Sequence, residues 1–168
     1  MSILSLVVKT MHSLDATDRK ILDLLQKDGR MTNAALAETL GLTATPTLQR
    51  VRKLEEAGII QRYVALVDRA ALGQPTMVWV QVTLQEHQLS THTTFVDAVT
   101  AFPEVLEVHH VAGAEDFVLK VVVRDIAQYE DWLLHSLTQV PGIDRVQSTF
   151  VLSTRKAETA IPVDRENP

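Results

Sequence analysis

The chain has 168 residues, 46% hydrophobic and 22% charged, which excludes a globally disordered protein and suffices for one medium domain or two small ones. Its net charge is −5, unevenly spread: residues 1–74 carry ten Lys/Arg against eight Asp/Glu and residues 75–168 six against thirteen, so only the first half tolerates a polyanion. The absence of cysteine rules out disulfides, thiolate metal sites and cysteine nucleophiles, and fits a reducing compartment.

The apolar opening from Ile3 to Val8 is too short for a membrane span and has neither a preceding basic region nor a cleavage site. Residues 1–13 therefore read as an N-terminal arm, or as surplus ahead of a natural start at Met11, on a cytoplasmic protein with no membrane partner. A first helix begins at Leu14-Asp15, where Asp15 caps and Asp18 completes a capping box; Ile21, Leu22, Leu24 and Leu25 form its apolar face, and Asp28-Gly29 stops it. Thr32 caps a second, short helix from Asn33 to Leu40, and Gly41 supplies the permissive backbone for its end. The third helix has Thr43 as N-cap, Pro46 in its first turn and Leu48, Val51 and Leu54 inward, and closes at Ala57-Gly58. Its outer face is then Thr45, Thr47, Gln49, Arg50, Arg52 and Lys53, with no carboxylate before Glu55. Hydroxyls, an amide and cations are the groups that bond base edges and phosphates in a major groove. Ile59–Val67 reads as an extended segment rich in β-branched residues. Residues 14–67 thus form a helix-turn-helix DNA-binding domain, with the last segment a wing or an outgoing strand. A three-helix bundle that binds protein is the alternative.

Residues 68–75 are a linker punctuated by Gly73 and Pro75. From there the pattern is strand (Thr76–Leu84), helix (Ser90–Ala101), strand (Glu104–Ala112), strand (Phe117–Val123), helix (Ile126–Val140) and strand (Ile143–Ser153). This βαββαβ order over 76–156 predicts a ferredoxin-like α+β domain, an antiparallel sheet with both helices on one face. Val78, Val80, Val82 and Val121-Val122-Val123 are expected on the uncovered face, too apolar to leave wet, which predicts a homodimer closing sheet on sheet. Residues 157–168 form a tail with little to bury, loose or interfacial.

Two long segments carry a resemblance. LDATDRKILDLLQKDGRMTNAALAETLGLTATPTLQRVRKLEEAGIIQRYVALVD and, further on, VAGAEDFVLKVVVRDIAQYEDWLL with VPGIDRVQSTFVLSTRK are similar, in order and spacing, to the Lrp/AsnC (leucine-responsive, feast/famine) family of transcription regulators. The resemblance spans Leu14 to about Lys156. It implies a DNA-binding helix-turn-helix, a ferredoxin-like effector domain, dimers through that domain and often octamers, and a free amino acid as effector; whether this chain stops at the dimer or builds a tetramer or octamer stays open. By position, Val111, Ala112, Gly113 and Asp116 match the family's glycine–aspartate effector loop, and Thr149, Phe150 and Val151 match the last-strand segment lining the same site. Thr43-Ala44-Thr45-Pro46-Thr47 departs from the more frequent Ser-Pro-x-Pro, which leaves the operator sequence open.

The residues themselves fit such a ligand. An α-amino acid needs main-chain N–H groups for its carboxylate and an anion for its ammonium. A Gly113 turn lets amides approach closely, Asp116 is the anion, and Val111, Phe117 and Val151 offer apolar surface to an aliphatic side chain such as that of leucine or methionine. Gly113–Asp116 also reads simply as a hairpin turn. His109 and His110, adjacent on a strand, point to opposite faces and cannot share a metal; Glu107 and His109 share a face as a surface pair. No cofactor, metal or catalytic pattern is found, and the resemblance implies an amino-acid-responsive regulator rather than an enzyme. Two alternatives stay open: an architectural DNA-binding protein without effector, and a small enzyme using Glu107, His109 and Asp116.

Overall fold

The computed structural model describes residues 13–86 and 88–163, so the expected arm or surplus over residues 1–12 lies outside the described residues. The chain divides into two compact units, one formed by residues up to Ala65 together with those from Lys156 onward, the other by Leu66–Arg155.

The first unit contains α1 (Ala16–Lys27), α2 (Asn33–Leu40) and α3 (Ala44–Glu56). The capping box on α1 is formed: Thr17 and Asp18 N–H groups donate to Asp15 Oδ1, each at 2.8 Å, and the Asp15 N–H donates to Asp18 Oδ2 at 3.3 Å. Thr32 caps α2 by accepting from the Ala35 N–H, and Gly41 ends it in the left-handed region at φ 67°. Ile21, Leu25, Leu36, Val51 and Leu54 make one small core, with Leu14, Leu22, Leu40 and Ile60 packed around it. Each fully buried aliphatic side chain of this kind contributes about 1.5–3 kcal/mol.

Ile59–Val67 forms no strand; Val64, Leu66 and Val67 are exposed there. β-branched content favours an extended backbone but cannot by itself supply a neighbouring strand. Tyr63 is the residue that ties this segment down. Its ring lies over Gly29, and its hydroxyl donates to Glu55 Oε1 at 3.0 Å. Partial burial and that carboxylate push the Tyr63 phenol up to about 12, and burial likewise raises Tyr129, opposed by its hydrogen bond to Ser148. The stability tied to the neutral Tyr63 phenol is fully present below its ordinary value of 10.0 and is lost as pH rises through about 12. The chain has two tyrosines, so a spectrophotometric titration of the folded protein is expected to show phenolate appearing later than in urea-unfolded protein. Coincident curves would refute both placements. The tail is not loose at Ile161: its N–H donates to Gln26 Oε1 at 2.7 Å and its carbonyl accepts from Gln26 Nε2 at 3.0 Å, with the Ile161 side chain left exposed.

The second unit is β1 (Thr76–Leu84), α4 (Leu89–Thr100), β2 (Val105–His110), β3 (Phe117–Val123), α5 (Ile126–His135), a 3₁₀ turn (Leu137–Gln139) and β4 (Ile143–Phe150). The sheet order β2-β3-β1-β4 is antiparallel at every pairing, the ferredoxin-like arrangement expected. β2 and β4 are shorter than expected, and α5 breaks at Ser136 before Pro141.

Five of the six valines lie elsewhere than expected, while Val122 does stand on the open face. Val78, Val80, Val82 and Leu84 alternate inward with Leu119, Val121 and Val123, and pack under Phe95 and Val99 of α4 and Tyr129 and Trp132 of α5. The most apolar face of the sheet must meet the helices, because their own apolar stripes have nowhere else to go. The open face instead carries Met77, Trp79, Gln81 and Thr83, opposite Val122, Lys120 and Val118 on β3 and Thr149, Gln147 and Arg145 on β4.

Candidate DNA-binding face and effector loop

The roll of α3 is set by its core contacts. Val51 and Leu54 are buried as expected, but in the first turn Thr47 takes the buried place expected of Leu48, which is only half-buried. Thr47 is thereby removed from the outer face. It is fully buried, and its hydroxyl donates to the Thr43 carbonyl at 3.0 Å instead of meeting a base edge. Thr43 is the N-cap but makes no side-chain cap bond.

Arg50 is also not aimed outward. Its Nη1 lies 2.5 Å from Asp15 Oδ2 and 2.7 Å from Asp18 Oδ1, which holds the guanidinium against the start of α1. The bonds to Asp18 and Asp15 raise Arg50 above its ordinary value. The Asp18 N–H and then Arg50 hold the Asp15 carboxyl below the usual carboxylate range, against the opposing effect of burial. Thr45, Gln49, Arg52 and Lys53 are exposed as expected. Thr45, Gln49 and Lys53 are four residues apart and line one stripe, with Arg52 beside it.

The loop between β2 and β3 is closed at its base, where the Val111 N–H donates to the Asp116 carbonyl at 2.9 Å. The Asp116 N–H donates to the Val82 carbonyl at 3.0 Å, and its Oδ2 accepts from the Leu84 N–H at 2.8 Å, at the register shift that ends β1. Asp116 therefore staples the loop to β1 with one carboxylate oxygen. Ala112 and Gly113 are exposed, and a Cβ at Gly113 would meet none of the described residues within 4 Å, so the main chain is open to a ligand there.

Three residues expected at this site lie elsewhere. Phe117 is 2% exposed, packed against Phe95 and His110 with ring centroids 4.8 and 5.0 Å away, and closes the core. Thr149 pairs with Trp79, and the Val151 N–H donates to the Met77 carbonyl, at the far end of β1 from Val82. Five residue steps separate Met77 from Val82, about 17 Å along the strand. Within one chain the loop and the end of β4 do not form one site. A pocket of about 300 Å³ near the Pro141-Gly142 turn is lined by Gln85, Glu86, Ser90, Thr91 and Thr94, none of them expected effector residues.

Residues 77–161 match the Lrp/AsnC ligand binding domain, and residues 14–61 match a winged helix-turn-helix DNA-binding domain. The leucine-responsive regulatory protein of Rhizobium meliloti is 39% identical over 90% of this chain and 96% of its own length. The chain belongs to the Lrp/AsnC family. Another relative is the Bkd operon transcriptional regulator of Pseudomonas aeruginosa, 37% identical over 91% of this chain and all of its own length. Among solved structures, a transcriptional regulator of Neisseria meningitidis in complex with L-Met aligns with a TM-score of 0.86 at 32% identity, over 90% of this chain and 98% of that one. The chain is thus an Lrp/AsnC transcription regulator with a DNA-binding helix-turn-helix and a ligand-binding domain.

On the open sheet face of this Lrp/AsnC domain, Glu107 bridges Lys120 Nζ at 2.8 Å and His109 Nε2 at 3.0 Å, with Lys120 and then His109 lowering the Glu107 carboxyl. Glu107 and His109 share a face as expected, while His110 turns to the other and stacks on Phe117. Asp116 stands apart at the end of β1, so the three acid–base candidates are not gathered into one cleft. Nearby, Gln81 Oε1 and Thr83 Oγ1 are buried on the open face without a hydrogen-bond partner among the described residues. Buried acceptors normally have partners, and sequence inspection gave no sign of these two.

Proposed function

We propose that this protein binds duplex DNA as a homo-oligomer through the outer face of α3, and that a free amino acid, with leucine or methionine favoured, changes its assembly or DNA affinity. The observation that carries the DNA reading is the exposed stripe of Thr45, Gln49, Arg52 and Lys53 on a helix whose opposite side is locked into a core. Arg52 and Lys53 meet phosphates; Thr45 and Gln49 meet base edges. A dimer presents two such helices about 34 Å apart, which calls for a pseudo-palindromic site.

Dimerisation through the open sheet face is supported by Trp79 and Val122 there and by the two unpartnered acceptors, Gln81 Oε1 and Thr83 Oγ1, which a second copy can satisfy. The effector reading is supported by the accessible Gly113 loop and by the likeness to a regulator solved with L-Met. Because Thr149 and Val151 are remote from that loop in one chain, the effector site is completed by another copy, the loop from one meeting the β4 end of the next. Ligand binding then couples to assembly without any longer-range relay.

The test is a thermal-shift screen of the twenty free amino acids. A ligand at a hundredfold excess over its Kd stabilises the native state by about 2.7 kcal/mol, enough to stand out among non-binders. Leucine or methionine is expected to raise the melting temperature and to change the oligomer distribution in sedimentation. A flat screen, with DNA binding intact, would instead leave an architectural DNA-binding protein.

A further inference from the structure

We infer that Arg50, although it stands on the helix that faces DNA, is a positioning residue: its guanidinium clamps α3 to the capped start of α1 and contacts no nucleic acid. The inference rests on the DNA-binding role of α3. Asp15 and Asp18 divide their oxygens between two tasks. Asp15 Oδ1 and Asp18 Oδ2 take the N–H groups of the α1 capping box, and Asp15 Oδ2 and Asp18 Oδ1 both take Arg50 Nη1. All four carboxylate oxygens are used, so the cap of α1 and the roll of α3 form one cluster.

Moving Arg50 to a phosphate would break two charge-assisted bonds and strip Asp18, whose side chain is only 12% exposed, of its cation. Arg50 also adjoins Val51 in the core shared with Ile21 and Leu25 of α1. A slip there shifts Thr45 and Gln49 out of register with the base edges, while the long, flexible side chains of Arg52 and Lys53 still reach phosphates. Arg50 and its partners are 35 and 32 residues apart, so the clamp closes the head from its first turn to its last helix.

The two roles predict opposite signs for one substitution. The full-length protein first selects a duplex from a random pool; binding to that duplex and to unselected duplex is then compared for wild type, R50A, R50K and D18N. The amide oxygen introduced by D18N still accepts a cap bond, so this variant is expected to fold, which circular dichroism checks. With Arg50 as a clamp, R50A and D18N both weaken the selected duplex by about tenfold or more. R50K restores part of that loss, unselected duplex is little affected, and the salt slope is unchanged. With Arg50 on a phosphate, D18N releases the guanidinium and tightens binding, and R50A makes the salt slope shallower by about 0.9 per head. That result, or D18N binding at wild-type strength, overturns the clamp.

A nitrogen-15 spectrum of the arginine side chains tests it without DNA. Hindered rotation of the Arg50 guanidinium is expected in the free protein and reduced in D18N, where Asp15 still holds it, and free rotation in the wild type overturns the clamp. Failure of the wild type to select any duplex, with hindered Arg50 rotation, would remove the DNA role of α3 and leave the clamp standing.

Discussion

Replacing Arg52 and Lys53 together by alanine is expected to weaken binding to selected and unselected duplex alike, and to make the slope of log K against log salt shallower by about 1.8 per head, near 0.9 for each cation removed. Both side chains are exposed on the stripe shared by Thr45 and Gln49, and neither contributes to the core of the first unit. The fold is therefore expected to keep its melting temperature, since surface substitutions of this kind change stability by only about 0.5 kcal/mol. A Gln49→Ala change differs in kind: the salt slope holds, and discrimination between the selected duplex and a one-base variant falls, with a direct base contact worth about 1–3 kcal/mol. Fluorescence anisotropy over a range of salt concentrations separates the two. If the double variant retains the wild-type slope, the cations of α3 do not meet phosphates, and another face of the head must carry the affinity.

Signals local to a few residues were legible in the sequence, and signals depending on distant neighbours were not. Asp15 with Asp18, Thr32, and Gly41 mark helix ends through bonds three residues long or through one backbone angle, and the structure forms all of them. The α+β class and the βαββαβ order followed from periodicity and turn residues in the same way. Val51 and Leu54 of α3 were legible as inward, but not which of the adjacent Thr47 and Leu48 joins them; that choice falls to the α1–α2 surface that receives the helix. The role of Arg50 was missed because Asp15 and Asp18 are more than thirty residues away. Alternation along β1 showed two faces but not which of them the helices cover.

The split of the effector residues was hidden differently, because the expected topology already contained it. In a βαββαβ sheet with β1 central, the loop from β2 to β3 lies at the end where β1 finishes, whereas β4, antiparallel to β1, finishes where β1 starts. The effector residues that the resemblance implies share a chemistry, but the Gly113 loop and Val151 fall at opposite ends of β1. Followed through, the topology requires a second copy for any ligand that touches both Gly113 and Val151.

Asp116 is where fold and ligand chemistry meet on one side chain, and two substitutions separate them. Asp116→Ala removes the acceptor for the Leu84 N–H at 2.8 Å and leaves that partly buried donor without its bond. The expected cost is about 1–3 kcal/mol in chemical denaturation. The loop also loses its side-chain staple to the end of β1, so the response to amino acids is expected to vanish with it. Asp116→Asn keeps an oxygen in the same place and surrenders only the charge. It is expected to hold most of the wild-type stability, while losing the ligand-induced rise in melting temperature if the carboxylate is what pairs with the effector's ammonium group. The geometry permits both tasks, because Oδ2 takes the Leu84 N–H and a carboxylate oxygen has more than one lone pair. A D116N protein that still responds in full to leucine or methionine would assign Asp116 to the loop's architecture alone and move the ammonium's counter-charge to the copy across the interface.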